Sequence, residues 1–445
     1  MLKTLCNALK IKEIRNKLLY TFAMIVIMRI GSLVPIPGVD TEYFSTLLNK
    51  VEDLSLLDAF TGGSFERMSV FALSITPYIT SSIIIQLLTI AIPKLEEMQK
   101  EGEDGRRKMA AITRYVTVGL ALIQSIAMAV GFGKQGLIAG YKGMSTVHYV
   151  ASIIVVIATL TAGSAILMWI GERITENGVG NGISIVLLVN IISSIPEDMV
   201  VLFEQFVKPQ SIAKGVLAAA IILAILVALV AFICFLQDGE RRIEVRYANK
   251  INGAGKLPYQ GGRTTNIPLK VNTAGVMPII FASSLMQFPI VICQLAGYQG
   301  TGFWGEVLKV LNQGNWCNPS LPIYNIGLVI YIVLVVFFAY FYTSITFNPL
   351  EVSNNIKKQG GFIPGIRPGK PTTDYLTGIL NYIIFIGAVG LIIIAVIPFF
   401  FNGVFGANVS FGGTSLIIIV SVILETIKQI ESLMLVRNYK GFLNA

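Results

Sequence analysis

Four cysteines, a single histidine and a few charges inside apolar stretches are what this sequence offers for chemistry, and their spacing excludes most of it. Cys6, Cys234, Cys293 and Cys317 form no C-x-x-C pair, and His148 stands alone. Neither a disulfide framework nor a His/Cys metal centre is expected. A phosphate-binding loop needs G-x-x-x-x-G-K-[ST], whose backbone N–H groups cradle the phosphates. The nearest string, GIRPGKPT at 365–372, has the wrong spacing and puts Pro371 after the lysine. Nucleophile-elbow and H-E-x-x-H motifs are absent as well. The chain is not expected to be an enzyme, and no cofactor is expected.

Ionisable groups in apolar surroundings mark ion or proton paths, because each costs about 2.5–3.5 kcal/mol at mid-membrane. Here the main candidates are Arg29 and Glu425, with Glu172 and Glu204 near segment ends. An ion-coupled pump normally carries more. Arg29 is expected to snorkel outward, the alternative being a wet cavity; Glu425 receives no role. These residues describe a conduit without its own energy source.

The elements that hold them are membrane helices. The 445 residues are 54% hydrophobic and only 13% charged, with a mean hydropathy of +0.71. Soluble domains carry about 25% charged residues. No secretory signal peptide is expected, since the first apolar run holds Arg29 and lacks a small-residue cleavage site. A span needs about 20 mostly apolar residues. Ten segments qualify: 16–34, 68–92, 112–132, 150–170, 182–200, 212–236, 272–296, 322–346, 376–398 and 414–435. An even count places both termini on one side. With that side cytoplasmic, 26 of the 34 basic residues fall in cytoplasmic tails, loops or edges and seven fall outside. The positive-inside bias therefore predicts cytoplasmic termini. The net charge of +9 suits anionic headgroups or partners.

The fold class expected is an all-α polytopic membrane protein. Residues 1–200 hold spans 1–5 and residues 201–445 hold spans 6–10. Five spans per half make similar halves inverted relative to one another, an arrangement common in transport proteins. The loops at 237–270 and 347–375 are long, basic and rich in Gly and Pro. They serve either as ordinary positive-inside anchors or as docking faces for a cytosolic machine.

Span 2 reads VFALSITPYITSSIIIQLLTIAI over 70–92. Ile75, Ile79 and Ile83 recur every four residues, on one helical face. Ser74, Thr76, Thr80, Ser81, Ser82 and Gln86 surround them. Such a stripe usually packs against a neighbouring helix, and Ser and Thr commonly join helices. Just upstream, Leu54–Phe60 is apolar but too short to span, and Gly62-Gly63 breaks the chain. That piece is either a surface helix or a re-entrant segment; the latter requires burial or a cavity.

Several strings resemble the SecY family, the channel subunits of the bacterial Sec translocon. They are RIGSLVPIPGVD (29–40), FALSITPYITSSIIIQLLT (71–89), EGEDGRRK (101–108), GERITENGVGNGISI (171–185), IPLKVNTAGVMPIIFASS (267–284), FNPLEVSNNIKKQGGFIPGIRPGKPT (347–372) and FGGTSLIIIV (411–420). They run in order through nearly the whole chain. The resemblance implies two pseudo-symmetric inverted five-helix halves around an hourglass pore. It places a closing ring on Ile75, Ile79, Ile183, Leu187, Ile280 and Ile418. A plug outside the ring falls on Leu56, Leu57, Phe60, Thr61, Gly62 and Gly63. A lateral gate between spans 2–3 and 7–8 takes in Thr80, Gln86 and Phe288.

The implied activity is conduction of unfolded secretory polypeptides across the bacterial plasma membrane, with sideways release of membrane helices into the lipid bilayer. The implied partners are SecE, SecG, the SecA ATPase, the ribosome and signal-sequence-bearing polypeptides. Contacts for the motor fall on Arg246, Lys250, Lys256, Lys357, Lys358 and Arg367. Three features depart from the family pattern, one being a short tail after span 10. The loop tip NGAGK (252–256) has one basic residue where relatives often have a pair, and Leu187 stands where isoleucine is commoner. A ten-span secondary solute transporter is the competing function, and a membrane enzyme a more distant one. Scarce intramembrane charges and an apolar ring favour the channel.

Overall fold

A computed structural model describes residues 9–41, 44, 61–133, 137–138, 145–204, 212–247, 264–295, 302–317, 322–405 and 413–443. Within an apolar solvent the backbone must satisfy its own polar groups, so the long hydrophobic runs become helices. Helices stand at all ten expected segments: Lys12–Leu33, Thr76–Ala91, Glu103–Phe132, Thr146–Asn177, Gly182–Leu202, Ile212–Asp238, Met277–Leu295, Asn325–Thr346, Lys370–Phe405 and Gly413–Leu443. They are called spans 1 to 10 below. Among the described residues seven helices are long and apolar enough to cross a membrane by themselves. The pair Thr76–Ala91 and Pro93–Gln99 is apolar enough only when taken together and is bent by 108° at its break. This is a multi-pass membrane protein. The residues after the glycine-rich turn form the 21-residue span 5, started by Asn181, whose side chain accepts from the Ile183 N–H at 3.2 Å.

Span 2 departs from the expected 68–92. Its helix begins only at Thr76, and residues 61–75 form turns instead. Two non-glycine residues there, Met68 and Ser74, adopt φ of 44° and 50°, which no helix accommodates. This buried irregular chain is held by neighbours. The Ile36 N–H donates to the Met68 carbonyl and the Val70 N–H to that of Val34, both at 3.0 Å. Asn190 of span 5 donates from Nδ2 to the Ser74 hydroxyl at 3.0 Å, and the Ser164 hydroxyl of span 4 donates to the Ser74 carbonyl at 3.5 Å. Non-helical backbone at membrane depth is tolerated only where protein satisfies it in this way.

Gly163 lets span 4 approach that segment, since a Cβ there would sit 1.9 Å from the Val70 carbonyl oxygen. Gly163→Ala is therefore expected to cost about 1–3 kcal/mol. Thermal unfolding in detergent checks it; an unchanged Tm would mean that the contact relaxes freely.

Span 7 also starts late, at Met277 rather than 272, after turns over 271–276 in which Gly275 has φ of 64°. The two late starts match. Proline is the second residue of each helix, Pro77 in span 2 and Pro278 in span 7. It lacks an N–H and suits a first helical turn. Two residues after each proline comes an isoleucine, Ile79 and Ile280. Spans 2 and 7 are the second helices of the two halves, so this Pro-x-Ile pattern is a local trace of the inverted symmetry.

The core is divided. One apolar cluster joins spans 6 to 10 around Ile279, Tyr331, Ile394 and Ile417. A second, around Ile75, Ile170, Val186 and Ile418, lies where spans 1, 2, 4, 5 and 10 meet. On one face of the bundle the two long loops fuse into a single body. Strand β1 (Glu240–Tyr247) pairs antiparallel with β2 (Thr264–Lys270), and its end pairs with β3 (Gly361–Phe362) from the other loop, Arg246 opposite Phe362. Ile243, Val245, Leu269, Ile356 and Ile363 form its small core with Leu376 and Ile379 of span 9.

Candidate functional site

The ring residues come from four helices and converge. Ile75, just before the span 2 helix, and Ile418 of span 10 are buried in the central cluster; Ile79, Ile183 and Ile280 pack against it. Leu187, one turn beyond Ile183, is buried as well. Five of the six, all but Ile75, form part of the wall of a cavity of about 480 Å³. The rest of the wall is mostly polar: Gln86, Asn181, Ser184, Gln237, Lys270, Asn272, Thr273, Ser421, Glu425 and Lys428. The cavity opens toward the face that carries the two fused loops, because Lys270 ends β2. Glu425 lies seven residues beyond Ile418 on span 10. At 1.5 Å per residue that is about 10 Å along the helix. Glu425 is therefore a wall residue of a wet funnel rather than a charge in lipid. Lys428 bonds Asp238 of span 6 at 2.7 Å, and Gln237 donates to the Ser421 hydroxyl.

The other side of the ring meets Thr61–Gly63. Gly62 has φ of 66°, and a Cβ there would lie 2.8 Å and 2.9 Å from the Asn190 carbonyl oxygen and Cα. The Gly62 carbonyl accepts from Arg29 Nη1 at 3.3 Å and from the Ser193 hydroxyl at 3.4 Å. Thr61 is buried, and its hydroxyl oxygen accepts from the Phe65 N–H. Arg29, expected to snorkel outward, instead reaches inward to the Gly62 carbonyl. A carbonyl in a positive-φ turn offers an acceptor inside the protein, closer than the headgroups. Leu56, Leu57 and Phe60 lie outside the described residues.

At the expected gate, the Thr80 hydroxyl donates to Thr76 of its own helix at 3.0 Å. Gln86 reaches the cavity wall, while Phe288 stands 54% exposed on the outside of span 7. The three are not brought together. What joins spans 2 and 3 is Ser81, whose hydroxyl pairs with that of Thr117 at 2.6 Å. Spans 3 and 7 pack across the seam between the halves. Gln86 Oε1 and Asn272 Nδ2 are buried with no hydrogen-bond partner among the described residues. Glu172 is paired with Arg114 of span 3 at 2.6 Å.

Arg246, Lys357, Lys358 and Arg367 are exposed on the fused loop body. Arg246 pairs with Glu244 at 2.9 Å. Lys250 and Lys256 lie outside the described residues. Sequence reasoning missed Asn190, Ser193, Asn272 and the Asp238–Lys428 pair. Asn190 had a signal, being a lone amide in an apolar span. The others had none, because their partners are far away in sequence.

The arrangement is a cavity with a mostly polar wall that meets five apolar side chains. Comparison with known proteins identifies the family. The SecY family profile matches residues 69–427. The Protein translocase subunit SecY of Bacillus subtilis (strain 168) is 42% identical over 451 aligned positions, covering 100% of both chains. A solved structure described as that of a protein conducting channel superposes with a TM-score of 0.61 at 17% identity, over 94% of this chain and 92% of that one. Sec61 in the canine ribosome–channel complex gives the same TM-score, identity and coverage. With a profile match over most of its length and a full-length relative at this identity, the chain belongs to the SecY family of protein translocase subunits.

Proposed function

We propose that polypeptides cross this channel through the ring of Ile75, Ile79, Ile183, Leu187, Ile280 and Ile418. The protein is a protein-conducting channel of the SecY family and not a catalytic enzyme. The observation that carries the ring is the meeting of five of its side chains at the floor of one polar funnel. Segment 56–63 is the plug, and Gly62 is its inner tether. The lateral gate runs between spans 2–3 and 7–8, with Thr80, Gln86 and Phe288 along it, and passes signal sequences and membrane helices to lipid. The halves divide at 200/201. The fused loop body faces the cytoplasm of a bacterium, as do both termini, in the plasma membrane.

The energy comes from SecA or a translating ribosome docked on Arg246, Lys250, Lys256, Lys357, Lys358 and Arg367. SecE and SecG complete the membrane complex. A ribosome partner is supported by the related fold of Sec61 in its ribosome–channel complex. Arg367 projects from a tight turn whose backbone is pinned by Thr372, which donates to the Arg367 carbonyl at 2.9 Å. Arg367→Glu is expected to slow motor-driven precursor uptake about tenfold, equivalent to ~1.4 kcal/mol. Passive ion leak through the resting channel should not change. A leak that rose with it would assign Arg367 to the pore instead.

A disulfide trap tests the path itself. Cys6, Cys234, Cys293 and Cys317 are replaced by serine, Ile79→Cys is introduced, and the complex is reconstituted with SecE and SecA. A secretory precursor with one cysteine is stalled and oxidised. A bond that requires both precursor and ATP is expected. Protected precursor without any bond would move the constriction elsewhere. No uptake despite active partners would return the solute-transporter reading.

A further inference from the structure

The connection between spans 7 and 8 contains a nine-residue helix, Phe303–Leu311, whose position is fixed by two contacts. The Trp316 indole N–H donates to the Val310 carbonyl at 2.9 Å. That same carbonyl lies 1.9 Å from where a Cβ on Gly327 would stand. Gly327 is the third residue of span 8, so the helix backbone rests against that span at the level of its first turn. The helix thus lies beside the end of a membrane span and not out in solution.

Its free end carries two large rings. Phe303 is 78% exposed and Trp304 is 64% exposed, in edge-to-face contact at 6.2 Å. Adjacent exposed aromatics of this size need an apolar cover. Next along the chain Glu306 pairs with Lys309 at 2.9 Å, and the Tyr324 hydroxyl donates to Glu306 at 3.1 Å. These two bonds hold the Glu306 carboxyl below its usual range. The polar side is therefore self-satisfied and open to water. Ile323, in the turn before span 8, and Ile326, Val329 and Val333 on it continue as an exposed apolar belt toward lipid.

We propose that Phe303 and Trp304 are seated in the headgroup and upper acyl region of the bilayer, making this helix an interfacial anchor at the outer ends of spans 7 and 8. Lipid is the occupant because the helix sits at the level where span 8 enters the membrane and continues the lipid-facing belt. Amphipathic rings favour that depth, where one side is apolar and the other wet. The anchor fixes the connection between the two helices that form one side of the gate. The inference concerns depth alone, so it stands apart from the ring, plug and motor assignments.

The test uses the full-length chain with its four native cysteines replaced by serine, reconstituted with SecE and supplied with SecA and ATP. Either Trp304→Cys or Lys309→Cys is labelled with an environment-sensitive fluorophore, in vesicles of phosphatidylcholine and phosphatidylglycerol. Retained precursor uptake certifies folding. At 304, lipids carrying a nitroxide near the headgroup should quench strongly and tail-end nitroxides weakly. Aqueous iodide should quench 304 at least several-fold less than 309. Equal iodide quenching at both positions with no nitroxide effect would overturn the anchor. Shielding of 304 that appears only in native membranes, and not in pure lipid, would assign a protein cover and also overturn it.

Discussion

Ile79→Asn is expected to raise resting ion leak through the channel by roughly 30-fold and to admit precursors with defective signal sequences. Ile79 packs against the central cluster and forms part of the funnel floor. Its branched side chain offers water no hydrogen bond, so the closed constriction stays dry. Ile79 is partly buried, so asparagine removes a part of the about 1.5–3 kcal/mol that full burial gives and adds an amide that must be solvated. A shift of ~2 kcal/mol toward the wetted state is a factor of roughly 30 in population. Ile79→Leu, which keeps volume and apolarity, should stay close to the parent channel. Conductance across planar bilayers and export of a signal-sequence mutant measure the two effects. No change in either would remove Ile79 from the seal.

Gly62→Val is expected to produce a comparable leak from the other side of the ring. Two costs combine. A branched residue at φ of 66° is strained by about 1–2 kcal/mol. Its Cβ also meets the Asn190 backbone at 2.8–2.9 Å, where nothing flexible can yield, adding about 1–3 kcal/mol. Either the plug-side turn leaves its seat or span 5 shifts. Both disturb Asn190, whose side chain holds Ser74 next to Ile75. Arg29→Gln should act in the same direction, since it removes the 3.3 Å bond to the Gly62 carbonyl. Single-channel recordings without precursor decide. If Gly62→Val channels stay as silent as the parent while unfolding at a normal temperature, the tether plays no part in closure.

Much of the membrane architecture could be read from the chain, and the reasons are physical. Apolar runs of span length have few alternatives to helix in lipid, so all ten segments were found with modest errors at their ends. The extensions at 103–111 and 370–375 were missed because amphipathic ends outside lipid look like loops in hydropathy. Residues 68–75 were misread as helix for the opposite reason. Their composition suits a span, but Met68 and Ser74 take positive φ under the hold of Val34, Ser164 and Asn190, partners far away in sequence. The ring positions came from family resemblance; the i, i+4 stripe by itself pointed to helix packing instead. Ile75 even lies outside the helix that the stripe seemed to define. The β1–β3 pairing was invisible because a two-residue strand leaves no periodic trace.

That short pairing has a mechanical meaning. β1 follows span 6 after one residue, β2 leads into span 7, and the segment bearing β3 links spans 8 and 9. The sheet thus makes a handle gripped by four helices at once. A push on Arg246 or Arg367 is shared among them rather than bending one loop. Spans 6 to 9 are thereby joined at one end, and span 7 meets span 3 at the seam between the halves. Phe362→Pro opposite Arg246 is expected to weaken the β1–β3 pairing and loosen the link between the two loops.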